Sequence, residues 1–482
     1  MFEPTMKSIK SHQPPDWYHD AKLGIFIHWG LYSIPAYAPV EFGDINDTVV
    51  EHGWEFHFAH NPYAEWYWNS IKIKDSPHYQ FHLEHYGREF HYENFAPKFN
   101  ETVKAWDPEA WAELFKTINA RYVVLGAKHH DGFCLWPSDV KNPRRQDFFS
   151  ERNLVGELTD AVKKRGMKMG LYYSGALDWT FNRNPITDMA SMVNNGPLDA
   201  DYAEYVFDQY MELIKKFHPS ILWNDIGYPP DARLEELIAY FYNNTDDGVI
   251  NDRWSIISER MRKAMNIGVV QKIVEWISRK FLNIGAGAPV SGPYDYKTPE
   301  YAHYKKIKKE KWESCRGIAN SFGYNKLETD DMYISVRDLI HMFVDIVSKN
   351  GNLLINIGPR ADGSIPEAQV DRLLGLGRWL NINGEAIFNT RPWERAEGQT
   401  KSGAQVRYTK KDDYLYMIIL SEPDGDRITI PDILIRNHTS IFLLGNSKPL
   451  SWKKDGDVLT ITLPDEVESK HAYSFRIDPI PN

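Results

Sequence analysis

The stretch Arg121-Tyr122-Val123-Val124-Leu125-Gly126-Ala127-Lys128-His129-His130-Asp131-Gly132 decides the fold. A short apolar run bounded by a turn signal reads as a strand buried on both faces, and this one stops abruptly on a polar string. The design recurs on either side of it. Leu23-Gly24-Ile25-Phe26-Ile27 ends in His28-Trp29-Gly30, and Met167 to Tyr173 forms a further apolar run. Ser220-Ile221-Leu222-Trp223 runs into Asn224-Asp225, Gly248-Val249-Ile250 into Asn251-Asp252-Arg253, and Asn352 to Ile357 into Gly358-Pro359. Helical spacing fills the gaps: Leu154 to Lys164 before Gly166, Tyr202 to Phe217 before Pro219, and Val336 to Val347 before Gly351. Strand and helix alternating at this rhythm predict parallel βαβ units. No strand is followed by a Gly-x-Gly-x-x-Gly turn, so the expected α/β fold is a (β/α)₈-like barrel of the TIM type and not a doubly wound sheet.

After Trp393 the texture changes to short alternating runs separated by Gly, Pro and Asp, such as Gln405 to Tyr408, Tyr414 to Leu420 and Val458 to Leu463. These predict a C-terminal antiparallel β-sandwich over 394–482, behind a catalytic barrel over 1–393. One segment interrupts the barrel rhythm. From about 255 to 294 an amphipathic pattern (Met261, Met265, Val269, Ile273, Ile277, Phe281) runs to Gly285-Ala286-Gly287-Ala288-Pro289. It reads as a helix with a tail, either a lid over the pocket or a subunit contact.

Composition narrows the function. The chain has 482 residues, 42% hydrophobic and 25% charged, with a formal net charge of −10. That charge argues against nucleic acid or an anionic membrane as the main partner. Aromatic content is 14%, with 16 Trp and 27 Tyr, which suits rings that stack on sugar faces as well as core packing. Cys134 and Cys315 are too few for a disulfide framework. No apolar h-region opens the sequence and no run reaches the length of a membrane span, so a cytoplasmic enzyme is expected.

In a barrel, chemistry gathers at the C-terminal ends of the strands, where His28, His129, His130, Asp225, Asn251, Asp252 and Arg253 fall. An aspartate after a strand can merely cap the next helix. Here Asp231-Ala232-Arg233 is the better place for that helix to start, which leaves Asp225 for the pocket. Neutral imidazoles can donate to and accept from sugar hydroxyls, although the same three histidines with Asp225 could instead hold a metal. Glu65 and Trp66, in Asn61-Pro62-Tyr63-Ala64-Glu65-Trp66-Tyr67, offer a carboxylate beside a ring.

These strings, together with Cys134-Leu135-Trp136, Tyr172-Tyr173-Ser174-Gly175, Ser321-Phe322-Gly323-Tyr324-Asn325 and Gly351 to Pro359, resemble the α-L-fucosidases of glycoside hydrolase family 29 from about Trp17 to Trp393. The resemblance implies an exo-acting retaining enzyme on fucosylated oligosaccharides or glycoconjugates, without cofactor or metal, and an assembly of several copies. It places the nucleophile on Asp225 and sugar-binding roles on His28, Glu65, Trp66, His129, His130, Trp223, Arg253 and Phe322. The acid/base is displaced by the 255–294 segment. Resuming the match at Asp295-Tyr296-Lys297-Thr298-Pro299-Glu300 gives Glu300, with Glu259, Glu275, Glu310 and Glu313 as rivals. A metal-dependent barrel hydrolase, a non-catalytic fucose-binding protein and an enzyme acting on α-L-galactosides are the alternatives. The last is disfavoured because the Phe322 ring would leave the extra hydroxyl unpaired.

Overall fold

The computed structural model describes residues 1–283, 291–423, 425–465, 467 and 469–481. Seven strands, β1 (Leu23–Ile27), β2 (Tyr122–Lys128), β3 (Lys168–Ser174), β4 (Ile221–Asp225), β5 (Val249–Ile250), β6 (Trp312–Gly317) and β7 (Gly351–Ile357), form one parallel sheet. Its order is β5-β4-β3-β2-β1-β7-β6, the cyclic succession of a barrel cut open between β5 and β6. Residues 295–301 fill that gap. The Asp295 amide donates to the Ile250 carbonyl, while Lys297 and Glu300 bridge to Trp312 and Cys315 of β6 in parallel sense. Pro299 has no N–H to give, so this eighth stave cannot form a regular ladder.

The strands are buried on both faces, as the apolar runs predict. On the neighbouring strand β2, the ring of Tyr122, the register partner of Gly24, fills the space over that glycine, where an added Cβ would lie 2.2 Å from a ring carbon. Glu313 of β6 plugs the interior and accepts hydrogen bonds from Tyr18 at 2.9 Å, Tyr122 at 2.5 Å and Trp223 at 3.2 Å. The strand β6 escapes the periodicity argument because Trp-Glu-Ser-Cys-Arg-Gly is not an apolar run. Helices Leu154–Lys164, Ala200–Phe217 and Val336–Ser348 stand close to their expected positions. Asp231 does not cap the next helix. That helix begins at Leu234, behind a left-handed Arg233 that makes no side-chain cap.

The expected single helix after Ser255 is two, Glu259–Met265 and Gly268–Asn283, separated at Asn266-Ile267. The run Gly285 to Pro289 lies outside the described residues. Toward the C-terminus, β8 (Arg391–Gln399), β9 (Gln405–Lys411), β10 (Tyr414–Ile419), β11 (Arg427–Ile430), β12 (Ser440–Leu443), β13 (Trp452–Asp455), β14 (Val458–Thr462) and β15 (Tyr473–Asp478) build two antiparallel sheets, β12-β15-β10-β9-β8 and β11-β14-β13. They enclose their own core of Val406, Met417, Ile441, Leu459 and Phe475. Arg407 of β9 reaches back to Asp345 at 2.6 Å and ties the sheets to the barrel. Among the described residues no helix is long and apolar enough to cross a membrane.

Candidate active site

A cavity of about 220 Å³ opens at the C-terminal ends of the barrel strands, floored by Phe26, Tyr172 and Trp223. Asp225, the last residue of β4, faces it. Its Oδ1 accepts from Arg253 Nη1 at 2.8 Å and its Oδ2 from the Tyr172 hydroxyl at 2.8 Å. Burial opposes ionisation, but the Arg253 guanidinium and these hydrogen bonds outweigh it and hold the carboxyl below its ordinary range. The next residue, Ile226, sits in the left-handed region at φ 59°. That conformation strains a β-branched side chain, and it lets the Ile226 amide donate to Asp225 Oδ1 at 2.9 Å.

Arg253 is the hub. Its Nη2 donates to Glu300 Oε2 at 3.0 Å, so one planar fork holds two carboxylates. The guanidinium lies over the Trp223 ring, 4.6 Å from its centroid, and the Trp223 indole is fixed below by Glu313. Glu300 Oε1 accepts from the Tyr63 hydroxyl at 2.9 Å. The rival acids stand elsewhere. Glu259 pairs with Lys263 and Glu310 with Lys297 on the surface, and Glu275 accepts from Gln271 on the inserted helix. Glu313 is sealed inside the barrel, where burial pushes its carboxyl up to about 7 against the three hydrogen bonds that favour its charge. Asn251 and Asp252, also expected at the strand ends, hold the frame together. Asn251 exchanges hydrogen bonds with the Asn224 backbone, and Asp252 accepts from Thr298 of the eighth stave.

The histidine tautomers follow from their neighbours. Asn356 donates its amide to the Phe322 carbonyl at 2.7 Å, which turns its Oδ1 toward His28 Nδ1, also at 2.7 Å. Nδ1 therefore carries the proton and Nε2 is left as an acceptor. His130 repeats the arrangement: the Ser174 hydroxyl donates to the Leu177 carbonyl and so accepts from His130 Nδ1 at 2.7 Å. Burial lowers both rings to about 4, so they are neutral near neutral pH. The 3.9 Å separation of His130 Nε2 from Asp225 Oδ2 is accordingly a gap wide enough for a hydroxyl and not an ion pair. His129 lies against His130, with ring centroids 4.0 Å apart, and its Nδ1 has no partner. Among the described residues no group of three or more His, Cys, Asp or Glu side chains forms a metal-holding cluster.

Glu65 is buried beside the imidazoles, accepting from the Gly323 amide at 2.7 Å, and burial raises it to about 7. The Trp66 ring packs against His130 and the Phe322 ring against His28. Asp225, Glu300 and the eight residues given sugar-binding roles by the resemblance thus all line this cavity, whereas Asn251 and Asp252 do not. Sequence reasoning missed Tyr63 and Tyr172, which in buried runs are indistinguishable from core aromatics. It also missed Asn356, one of several asparagines. Trp54, His57 and Phe58 form one part of the rim and Met189 and Met192 another.

A barrel mouth with two carboxylates on one guanidinium, among neutral imidazoles and ring faces, defines a glycoside hydrolase. Comparison with known proteins agrees. The family model described as Alpha-L-fucosidase matches residues 1–385, and that of the Alpha-L-fucosidase C-terminal domain matches 399–478. Tissue alpha-L-fucosidase of Rattus norvegicus is 31% identical over 96% of this chain and 88% of its own length. The crystal structures of Thermotoga maritima alpha-fucosidase with a mechanism-based inhibitor and with fucose are 38% identical. They superpose with TM-scores of 0.83 and 0.82, over 99% of this chain and 100% of theirs. The chain belongs to the α-L-fucosidase family.

Proposed function

We propose that the chain is an exo-acting, retaining α-L-fucosidase in which Asp225 is the nucleophile and Glu300 the acid/base. The observation that carries this reading is the Arg253 fork, which holds both carboxylates at one end of a pocket whose other wall is imidazole. The cavity is smaller than the ~300–1,000 Å³ of pockets for drug-sized ligands and suits one sugar residue, which favours attack on a terminal unit. The Thermotoga maritima enzyme binding fucose and a mechanism-based inhibitor supports the same chemistry.

In the first step Asp225, ionised by Arg253, attacks the anomeric carbon as Glu300 gives its proton to the departing glycosidic oxygen. The bond formed is the ester to Asp225, and the bond broken is that to the aglycone. Esterification removes the Asp225 charge and leaves the Arg253 guanidinium facing Glu300. Glu300 then takes a proton from water, whose oxygen displaces Asp225 and releases the sugar with its configuration retained. Throughout, Nε2 of His28 and of His130 accept from sugar hydroxyls, the Glu65 carboxyl hydrogen-bonds to others, and Phe322 covers the apolar edge that bears the methyl group.

Asp225→Gly tests this. It should lose nearly all turnover of an aryl α-L-fucoside and regain it in azide, which occupies the space of the missing carboxylate and yields a fucosyl azide. Near-normal turnover without azide overturns the assignment.

A further inference from the structure

Behind Trp179, whose ring packs against His130 of the catalytic pocket, lies a second cavity of about 460 Å³. Its wall carries Lys72, Arg88, Arg145 and Arg183 against the single carboxylate of Glu93, an excess of positive charge on a chain whose formal net charge is −10. That carboxylate is thinly shared: one oxygen, Oε1, faces Arg145 at 3.4 Å and Arg183 at 3.2 Å. Neither guanidinium makes another ion pair or hydrogen bond among the described residues. Among the described residues Arg88 makes no ion pair or side-chain hydrogen bond. Lys72 is the most telling member. Its ammonium is buried without an acceptor, 4.7 Å from the Trp68 ring centroid and 5.9 Å from that of Trp179. Burial first, and Arg183 second, lower it to about 8. A cation desolvated without a partner is costly, and an orphaned buried donor at a cavity wall calls for a ligand.

We propose that this cavity is a second binding site, distinct from the fucose pocket, for a doubly charged tetrahedral oxyanion: free sulfate or phosphate, or a phosphate monoester of a glycan. Guanidinium forks match the edges of such an anion, and the net charge of the wall calls for more than one negative charge. Lys72 meets the ligand by swinging off Trp68, gaining the acceptor it lacks, while the aromatic wall at Trp68 and Phe90 accommodates the carrier. The proposal is independent of the catalytic assignment, because none of these cations touches Asp225 or Glu300.

Titration calorimetry of the full chain tests it, with sodium sulfate and sodium phosphate in separate runs and ionic strength held constant with sodium chloride. Saturable one-to-one binding of at least one of the two is expected, and the arm that binds identifies the group. Arg183→Gln, at an exposed position, should weaken binding about tenfold, the loss of one charge-assisted hydrogen bond. Lys72→Met should weaken it as well. Glu93→Gln, which removes the one competing carboxylate among the described residues of the wall, should tighten it. Turnover of an aryl α-L-fucoside by Arg183→Gln should match the unaltered chain. Absence of saturable binding in both arms, or equal affinity in all the variants, overturns the proposal.

Discussion

Arg253→Met removes the one side chain that touches both carboxylates while keeping an apolar stem against Trp223. Burial already works against ionisation of Asp225, and Arg253 is the largest influence overcoming it, ahead of the Tyr172 hydrogen bond. The 2.8 Å contact from Nη1 to Oδ1 is a charge-assisted hydrogen bond, a class that contributes about 1.5–3 kcal/mol. Its loss raises the Asp225 carboxyl, because burial is then opposed only by weaker contacts. The sign is fixed. Asp225 is depressed in the folded enzyme, so without Arg253 it protonates at higher pH and the nucleophile is lost sooner on acidification. The acidic limb of kcat/KM, which reports the free enzyme, should therefore move to higher pH. At its maximum, kcat/KM should fall about 10²–10⁴-fold, since stripping one partner from a buried pair costs about 3–5 kcal/mol. The assay is the pH profile of kcat/KM on an aryl α-L-fucoside. If the rate falls while the acidic limb stays in place, Arg253 positions the substrate and does not set the charge of Asp225.

Glu300→Gly should lose rate steeply on fucosides with poor leaving groups and far less on activated aryl fucosides, because only the former need a proton. A uniform loss across a leaving-group series would assign Glu300 a binding role. The fold itself carries a pH liability at His78, which is fully buried with both ring nitrogens unpartnered. Burial lowers it from 6.5 to about 3. The unfolded chain takes this proton first, so the stability is complete above about pH 6.5 and is lost as pH falls toward 3. His78→Phe should reduce the stability difference between pH 7 and about pH 4.5 by about 2–3 kcal/mol in urea unfolding. An unchanged difference would refute the assignment.

The parts of the fold that announce themselves in the sequence are those where burial acts alone. Strands β1, β2, β4 and β7 are apolar because they are covered on both sides, and their polar ends mark the pocket. Strand β6 and the stave at 295–301 stayed hidden because their side chains are partly polar: Glu313 plugs the lumen, Arg316 is half-buried, and Pro299 breaks the ladder. At the site, residues with distinctive chemistry were legible, namely Asp225, Arg253 and the paired His129-His130. The residues that tune them were not. Tyr172, Tyr63 and Asn356 act through single hydrogen bonds made by tertiary contact, and no local pattern encodes such a contact. Glu300 was reached by resemblance alone, across an insertion that periodicity reads only as helix. That insertion proves to touch the pocket indirectly: Ser278 accepts from the Trp54 indole at 2.8 Å, behind the rim.

The central claim, that Asp225 becomes covalently attached to the sugar, is tested most directly by trapping. The chain would be treated with a 2-deoxy-2-fluoro-α-L-fucosyl donor bearing a good leaving group, digested, and its peptides weighed and fragmented. The account predicts a single fluorofucosyl mass added to the peptide that contains Trp223-Asn224-Asp225, with the label on Asp225 and loss of activity in step with labelling. A label on any other residue, or inactivation that leaves every peptide at its native mass, would contradict it.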